Sequence, residues 1–175
     1  MTSHKELTHI IHPIPPFYRP DSRILILGSF PSVKSRESRF FYGHPQNRFW
    51  KLMVMLYQEE KLPETIEEKA ALLERRHIAA WDSIHACDIC GSSDSSIKNV
   101  VPNDFTEILG TADIARIYTN GKKSHEIYER YCLPLTGRED ICLPSTSPAN
   151  AAWSLERLAE EWRQILEFTM TGEEK

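Results

Sequence analysis

Three short stretches gather side chains able to do chemistry. The first runs Gly28-Ser29-Phe30-Pro31-Ser32 and resumes as Phe41-Tyr42-Gly43-His44-Pro45-Gln46-Asn47-Arg48-Phe49-Trp50. A glycine straight after an apolar run lets a ligand approach the backbone closely, Pro31 sets the next bend, and Phe41 and Tyr42 offer flat faces on which a base or another ring can stack. Asn47 stands just before a helical pattern, where an asparagine taken alone reads as an N-cap. The second stretch, Pro144-Ser145-Thr146-Ser147-Pro148-Ala149-Asn150, places three hydroxyls at a strand-to-helix junction. It suits either phosphate oxygens or a plain capping turn. The third, Asn120-Gly121-Lys122-Lys123, reads as a further phosphate contact or as a turn with solvated lysines.

Other chemistries find little support. Cys87-Asp88-Ile89-Cys90 has metal-ligand spacing, and Cys132 and Cys142 would complete a set of four. A zinc or iron–sulfur site, however, usually shows a second tight pair. Nine residues separate Cys132 from Cys142, and Cys142 falls inside an apolar run of strand type. The thiols therefore read as structural, and no metal is expected. Asp82, Asp88, Asp94, His44 and His85 show no spacing that singles out a pair. The nucleotide cradles G-x-x-x-x-G-K-[ST] and G-x-G-x-x-G are missing, as are G-x-S-x-G and H-E-x-x-H, so no cofactor is expected either.

The elements that must hold these stretches are short. Ile24–Leu27, Ile78–Trp81, Ile114–Tyr118 and Ile141–Leu143 read as strands, three of them continuously apolar, as in a parallel sheet covered on both faces. Helical stripes follow: Phe49, Leu52, Met53 and Leu56; Ile66, Ala70 and Leu73; Phe105 to Leu109; Ile127, Tyr128 and Tyr131; and Leu155, Leu158, Trp162, Ile165 and Leu166. The alternation predicts an α/β fold, a three-layer α/β/α sandwich around a short, mainly parallel four-stranded sheet. Residues 28–47, 82–102 and 144–150 are expected as long loops at the C-terminal strand ends, where open α/β sheets bind ligands. Residues 1–20, with His12-Pro13-Ile14-Pro15-Pro16, read as an extended N-terminal arm over the surface of one domain spanning residues 1–175.

Composition narrows the setting. Of 175 residues, 41% are hydrophobic and 26% charged, a globular balance. The net charge of −4 argues against non-specific nucleic-acid coating. Between Arg19 and Lys51, however, seven basic residues face two acidic ones, while Glu59 to Glu68 is acidic. No apolar run is long enough for a membrane helix, and Met1 to Leu7 lacks a signal-peptide core. Four cysteines are few for a disulfide scaffold, which points to a reducing, cytoplasmic setting.

Taken in order, Leu27-Gly28-Ser29-Phe30-Pro31-Ser32, His44-Pro45-Gln46-Asn47-Arg48-Phe49-Trp50, Asn120-Gly121-Lys122 and Pro144-Ser145-Thr146-Ser147 resemble the uracil-DNA glycosylase superfamily. They look closest to its hypoxanthine-DNA (deoxyinosine) glycosylase branch. The His-Pro-x-Asn-Arg-Phe-Trp run is also similar to the mismatch-specific glycosylases. The set spans residues 24–150, and the ordered combination is more specific than any one motif. Two departures stand out. Most of the superfamily carries Asp or Asn just before the proline of the first motif to handle the attacking water, where this chain has Phe30. The second-motif histidine of the uracil enzymes has no counterpart among Ser145, Thr146 and Ser147.

The resemblance implies a DNA repair enzyme that flips a deaminated base out of duplex DNA and hydrolyses its N-glycosidic bond without metal or cofactor. It assigns catalysis to Asn47, which either holds the water through its amide oxygen or donates from its nitrogen. A base pocket would comprise Gly28, Ser29, Phe30, Pro31, Phe41 and Tyr42, with Tyr42 or Phe41 stacking on the base. Ser32, Lys122, Ser145, Thr146 and Ser147 would contact DNA, and Pro148, Ala149 and Asn150 would wedge into the vacated stack. The expected partner is double-stranded DNA containing a deaminated base, hypoxanthine first among them, bound by a monomer. A uracil or mismatched-thymine specificity and a non-catalytic nucleic-acid-binding α/β module remain the alternatives.

Overall fold

Ile24-Leu25-Ile26-Leu27 is apolar at every position because the strand it forms is covered on both faces. The computed structural model describes residues 6–170. Strand β2 (Ile24–Gly28) lies between β3 (Ile78–Asp82) and β6 (Arg116–Asn120), and β7 (Asp140–Leu143) flanks β6. All three pairings are parallel. Ile24 and Ile26 point to one face and Leu25 and Leu27 to the other, all fully buried. Each such side chain gains about 1.5–3 kcal/mol on leaving water.

The first face packs on α2 (Phe49–Tyr57), α3 (Ile66–Arg75) and α7 (Leu155–Trp162), through Phe49, Leu52, Met53, Leu72, Leu73, Leu158 and Trp162. The second packs on α4 (Thr106–Thr111) and the segment after β6, through Phe105, Ile108, Tyr128 and Cys132. That segment is α5 (Lys122–Ile127), one π turn at Tyr128–Cys132 and α6 (Leu133–Thr136). The expected three-layer arrangement and four-stranded sheet are therefore present, with the third strand two residues later than the apolar run suggested.

Two expected irregular regions are ordered instead. Residues 82–102 are not one loop: β4 (Ile84–Ile89) and β5 (Lys98–Pro102) form an antiparallel hairpin around a single 3-10 turn at Asp94–Ser96. The N-terminal arm is stitched into the fold rather than laid over it. β1 (Thr8–Ile11) pairs antiparallel with β4, Ile14 and Phe17 are buried, and Phe17 bridges Ala80. Strands that would each be marginal alone become stable as a three-stranded sheet, β1-β4-β5. Residues 1–5 of the expected arm lie outside the described residues. The 28–47 connection contains a short helix, α1 (Val33–Ser38), capped by Ser32.

All four cysteines are free. Cys87 and Cys132 are buried in two different apolar clusters, and burial pushes each thiol up to about 11. Among the described residues no three His, Cys, Asp or Glu side chains group as metal ligands, and no helix is long and apolar enough to cross a membrane.

Candidate active site

The C-terminal ends of β2, β3 and β6 open into a cleft of about 310 Å³. It is lined by Gly28, Ser29, Phe30, Pro31, Ser32, Phe41, Tyr42, Asn47 and the segment from Ser145 to Ala149. Of the residues singled out from sequence, only Lys122 and Asn150 lie off its wall. Lys122 is exposed at the start of α5, and Asn150 donates from Nδ2 to the Ser145 carbonyl.

Asn47 is held by its oxygen. Oδ1 accepts from the Phe49 N–H at 2.9 Å and from the Thr146 hydroxyl at 2.8 Å. Thr146 Oγ1 in turn accepts from Asn120 Nδ2 at 3.0 Å, and the Thr146 N–H donates to Asn120 Oδ1 at 3.0 Å. A backbone N–H can only donate, so the Phe49 bond fixes which end of the amide is oxygen. Arg48, not Asn47, is the N-cap of α2, but the Asn47 oxygen still takes the N–H of the first helical residue, which leaves the –NH2 as the part of Asn47 free for a ligand. Gly121 makes the closure possible: its φ is 101°, and a Cβ there would stand 2.9 Å from Ser145 Cβ.

Tyr42 sits in the left-handed region at φ 54°, a conformation aromatic residues rarely adopt. It is kept there by stacking on Phe49 at 4.0 Å between centroids and by the bond from the next N–H, of Gly43, to Ser35 Oγ. The buried Tyr42 hydroxyl lies near Asp82 and Asn120 without a well-formed hydrogen bond, and burial raises its pKa strongly. Phe41 is almost fully buried against Phe40. Tyr42 is therefore the ring that the cleft presents. Phe30 forms a wall, with the His12 ring edge-on at 5.7 Å and the Arg36 guanidinium 5.6 Å from its centroid.

Two carboxylates that spacing did not single out also line the cleft. Asp82, at the end of β3, has a side chain only 7% exposed, and its Oδ2 lies 2.7 Å from Nε2 of His12, itself 1% exposed. His12 Nδ1 accepts the Ile14 N–H, so Nε2 carries the hydrogen and donates to Asp82. The other oxygen, Oδ1, faces Gly28 so closely that a Cβ there would stand 2.4 Å away. Asp94, in the turn between β4 and β5, accepts from Ser29 Oγ at 3.2 Å. Although Asp94 keeps exposed surface, desolvation of its carboxyl in the cleft wall raises its pKa, against the lowering effect of the Ser29 bond.

Basic residues near the cleft mostly brace it. Arg48 donates to the carbonyls of Trp153, Ser147 (3.1 Å) and Asn150 (3.0 Å), which pins the 145–153 segment to the start of α2. Arg36 donates to the carbonyls of Pro31 and Gly91. The hydroxyls of Ser145 and Ser147 accept the N–H groups of Ser147 and Ala149, turn-making bonds that leave each O–H hydrogen available to donate. Ser32 spends its hydroxyl on Ser35. Sequence reasoning missed Asp82 and Asp94 as cleft groups and His12 as the partner that holds Asp82. A hairpin reading of 84–102 would have brought Asp94 back toward the strand ends.

The arrangement is a base-sized pocket with an aromatic face, an amide donor and carboxylate acceptors, entered beside hydroxyl-bearing turns. A family model described as the uracil DNA glycosylase superfamily matches residues 15–168. The chain is 35% identical over 146 residues to a hypoxanthine DNA glycosylase of Methanosarcina acetivorans, covering 83% of this chain and 90% of that protein. To the protein of the same name in Methanosarcina barkeri it is 35% identical over 137 residues, 78% and 85% of the two chains. A solution NMR structure of a candidate uracil DNA glycosylase from Methanosarcina acetivorans superposes with a TM-score of 0.74 at 34% identity, covering 89% of this chain and 99% of that one.

Proposed function

The chain belongs to the uracil DNA glycosylase superfamily and is a DNA glycosylase, and on that premise we propose that it removes hypoxanthine from double-stranded DNA. The observation that carries this reading is the locked Asn47 amide, whose free end is a hydrogen-bond donor. Cleavage of a purine N-glycosidic bond builds negative charge on the departing base and positive charge on the sugar. A preorganised donor at the base stabilises that charge without having to reorganise.

The remaining groups fit a flipped hypoxanthine. Tyr42, backed by Phe49, stacks on the ring. The backbone amides of Ser29 and Phe30 meet its carbonyl. Asp82 Oδ1 accepts its N1–H, where adenine would offer a lone pair and leave a buried carboxylate facing it. A site built on that contact distinguishes the deaminated base from its parent. Pro148, Ala149 and Asn150, pinned through Arg48, enter the gap in the stack, while Ser145 and Ser147 donate to flanking phosphates. Among the described residues no lysine lines the cleft to form a Schiff base with the sugar, which supports a reaction that ends at the abasic site.

The free cysteines support a reducing, cytoplasmic setting. The test is alkaline nicking of duplexes carrying one inosine, uracil, xanthine or mismatched thymine. The proposal requires nicking at inosine above the other three. Nicking at uracil alone would shift the substrate, and lesion binding without nicking at any of the four would leave only a binding module.

A further inference from the structure

We propose that Asp94 is the group that accepts the proton of the attacking water, supplying from the β4–β5 hairpin the function that Phe30 cannot perform. The inference rests on the glycosylase reading above and assigns a second catalytic residue to it.

The base enters deepest and the sugar stays at the mouth, because the DNA backbone remains outside. Asp82 lies at the deep end, with one oxygen taken by His12. The Asn47 oxygen already receives two donors. His44 also lines the cleft, but its Nδ1 accepts the Gln46 N–H, so its other nitrogen carries a hydrogen and can only donate. Asp94 is left. It reaches the cleft beside Ser29, one residue from the position where Phe30 replaces the usual water-handling side chain, and among the described residues it makes no ion pair.

The hairpin turn is built to hold it there. The Val33 N–H donates to Ser92 Oγ at 2.9 Å, Arg36 to the Gly91 carbonyl at 3.2 Å, and the Cys90 N–H to Ser96 Oγ at 2.8 Å. Ser96 Oγ donates to the Ser93 carbonyl at 2.7 Å. These bonds tie the turn to α1 and to itself. A carboxylate whose pKa is raised is a stronger base than an ordinary aspartate, which suits it to proton transfer. The groups facing it are Asp82 on β3, Cys87 on β4, Lys123 on α5 and, through Gly91, Arg36 on α1.

The step balances. The C1′–N9 bond breaks with its electron pair going to the base, the water oxygen bonds C1′, and one water proton passes to Asp94. That proton then leaves to the released base or to solvent, restoring the carboxylate.

The experiment compares wild type, Asp94→Asn and Asp94→Ala for single-turnover base release and for affinity toward an inosine duplex. Asp94→Asn should lose about 10²–10⁴-fold in rate, the usual worth of general base catalysis. Its affinity should stay equal or tighten, because a negative charge near phosphates is removed. Formate should restore part of the Asp94→Ala rate, and the acid limb of the wild-type pH–rate profile should vanish in Asp94→Asn. An Asp94→Asn rate within about threefold of wild type overturns the proposal. So does a rate loss matched by an equal loss of affinity. If wild type releases uracil instead of hypoxanthine, the substrate reading fails and the same comparison decides Asp94 on uracil duplexes. If wild type releases no base, both fall.

Discussion

Replacing Asn47 with aspartate exchanges one nitrogen for one oxygen and isolates what the amide contributes. In Asn47→Asp the oxygen that accepts from Phe49 and Thr146 remains, so the first N–H of α2 keeps its partner and the fold should be intact. What changes is the end facing the cleft, from donor to anion. Loss of a donor aimed at developing negative charge costs about 10²–10³-fold in rate, as for an oxyanion-hole donor. A carboxylate ~4 Å from an anionic leaving base adds repulsion of about 4 kcal/mol at an effective dielectric of ~20, a further factor of about 10³. Asn47→Ala should show only the first loss. Single-turnover release of hypoxanthine with enzyme in excess measures both, with melting curves confirming the fold. An Asn47→Asp rate equal to or above that of Asn47→Ala would refute the reasoning, because it would mean that the amide works through its oxygen.

Asp82→Asn keeps an acceptor for His12 but turns an –NH2 toward the base; the lost charged contact should slow hypoxanthine release by about 1.5–3 kcal/mol and narrow the preference over adenine in paired duplexes. Gly28→Ala forces a Cβ to within 2.4 Å of Asp82 Oδ1, so the carboxylate must shift, and the rate should fall by about 10²-fold with lesion affinity also reduced. His125 donates to Asp140 and faces Glu129 at 3.0 Å, and the Asp140 bond is the main reason its pKa is raised. The folded value lies above the unfolded 6.5, so this stabilisation is complete below that pH and disappears as pH rises through the raised value. His125→Gln should therefore lower Tm at about pH 5.5 and have little effect at about pH 8.5, as read by thermal melts across that range.

How far the sequence reached depends on the range of the contacts involved. β2 was legible because burial on both faces demands four apolar residues in a row, and α2 and α7 because their stripes repeat at helical spacing. β1, β4 and β5 were not. Ile84-His85-Ala86-Cys87-Asp88-Ile89 is short and interrupted by polar residues, and the strand it pairs with, Thr8–Ile11, lies far away in sequence. Asn47 was visible through its motif, but its orientation depends on Thr146 and Asn120, contributed by two other strand ends. Asp82 and Asp94 carried no local signal at all. Their nearness to Asn47 is a product of sheet order and of the hairpin, neither of which leaves a spacing in the chain. The basic surplus between Arg19 and Lys51 is not all available to phosphates, because Arg36 and Arg48 spend their donors on backbone carbonyls.

The most direct test of the account is a crystal structure of the protein on duplex DNA carrying a non-hydrolysable inosine. The account predicts hypoxanthine flipped against Tyr42, with Asn47 Nδ2 about 3 Å from a base acceptor and Asn47 Oδ1 still bound to Phe49 and Thr146. A flipped base lodged elsewhere, or an Asn47 turned so that its oxygen faces the cleft, would contradict it.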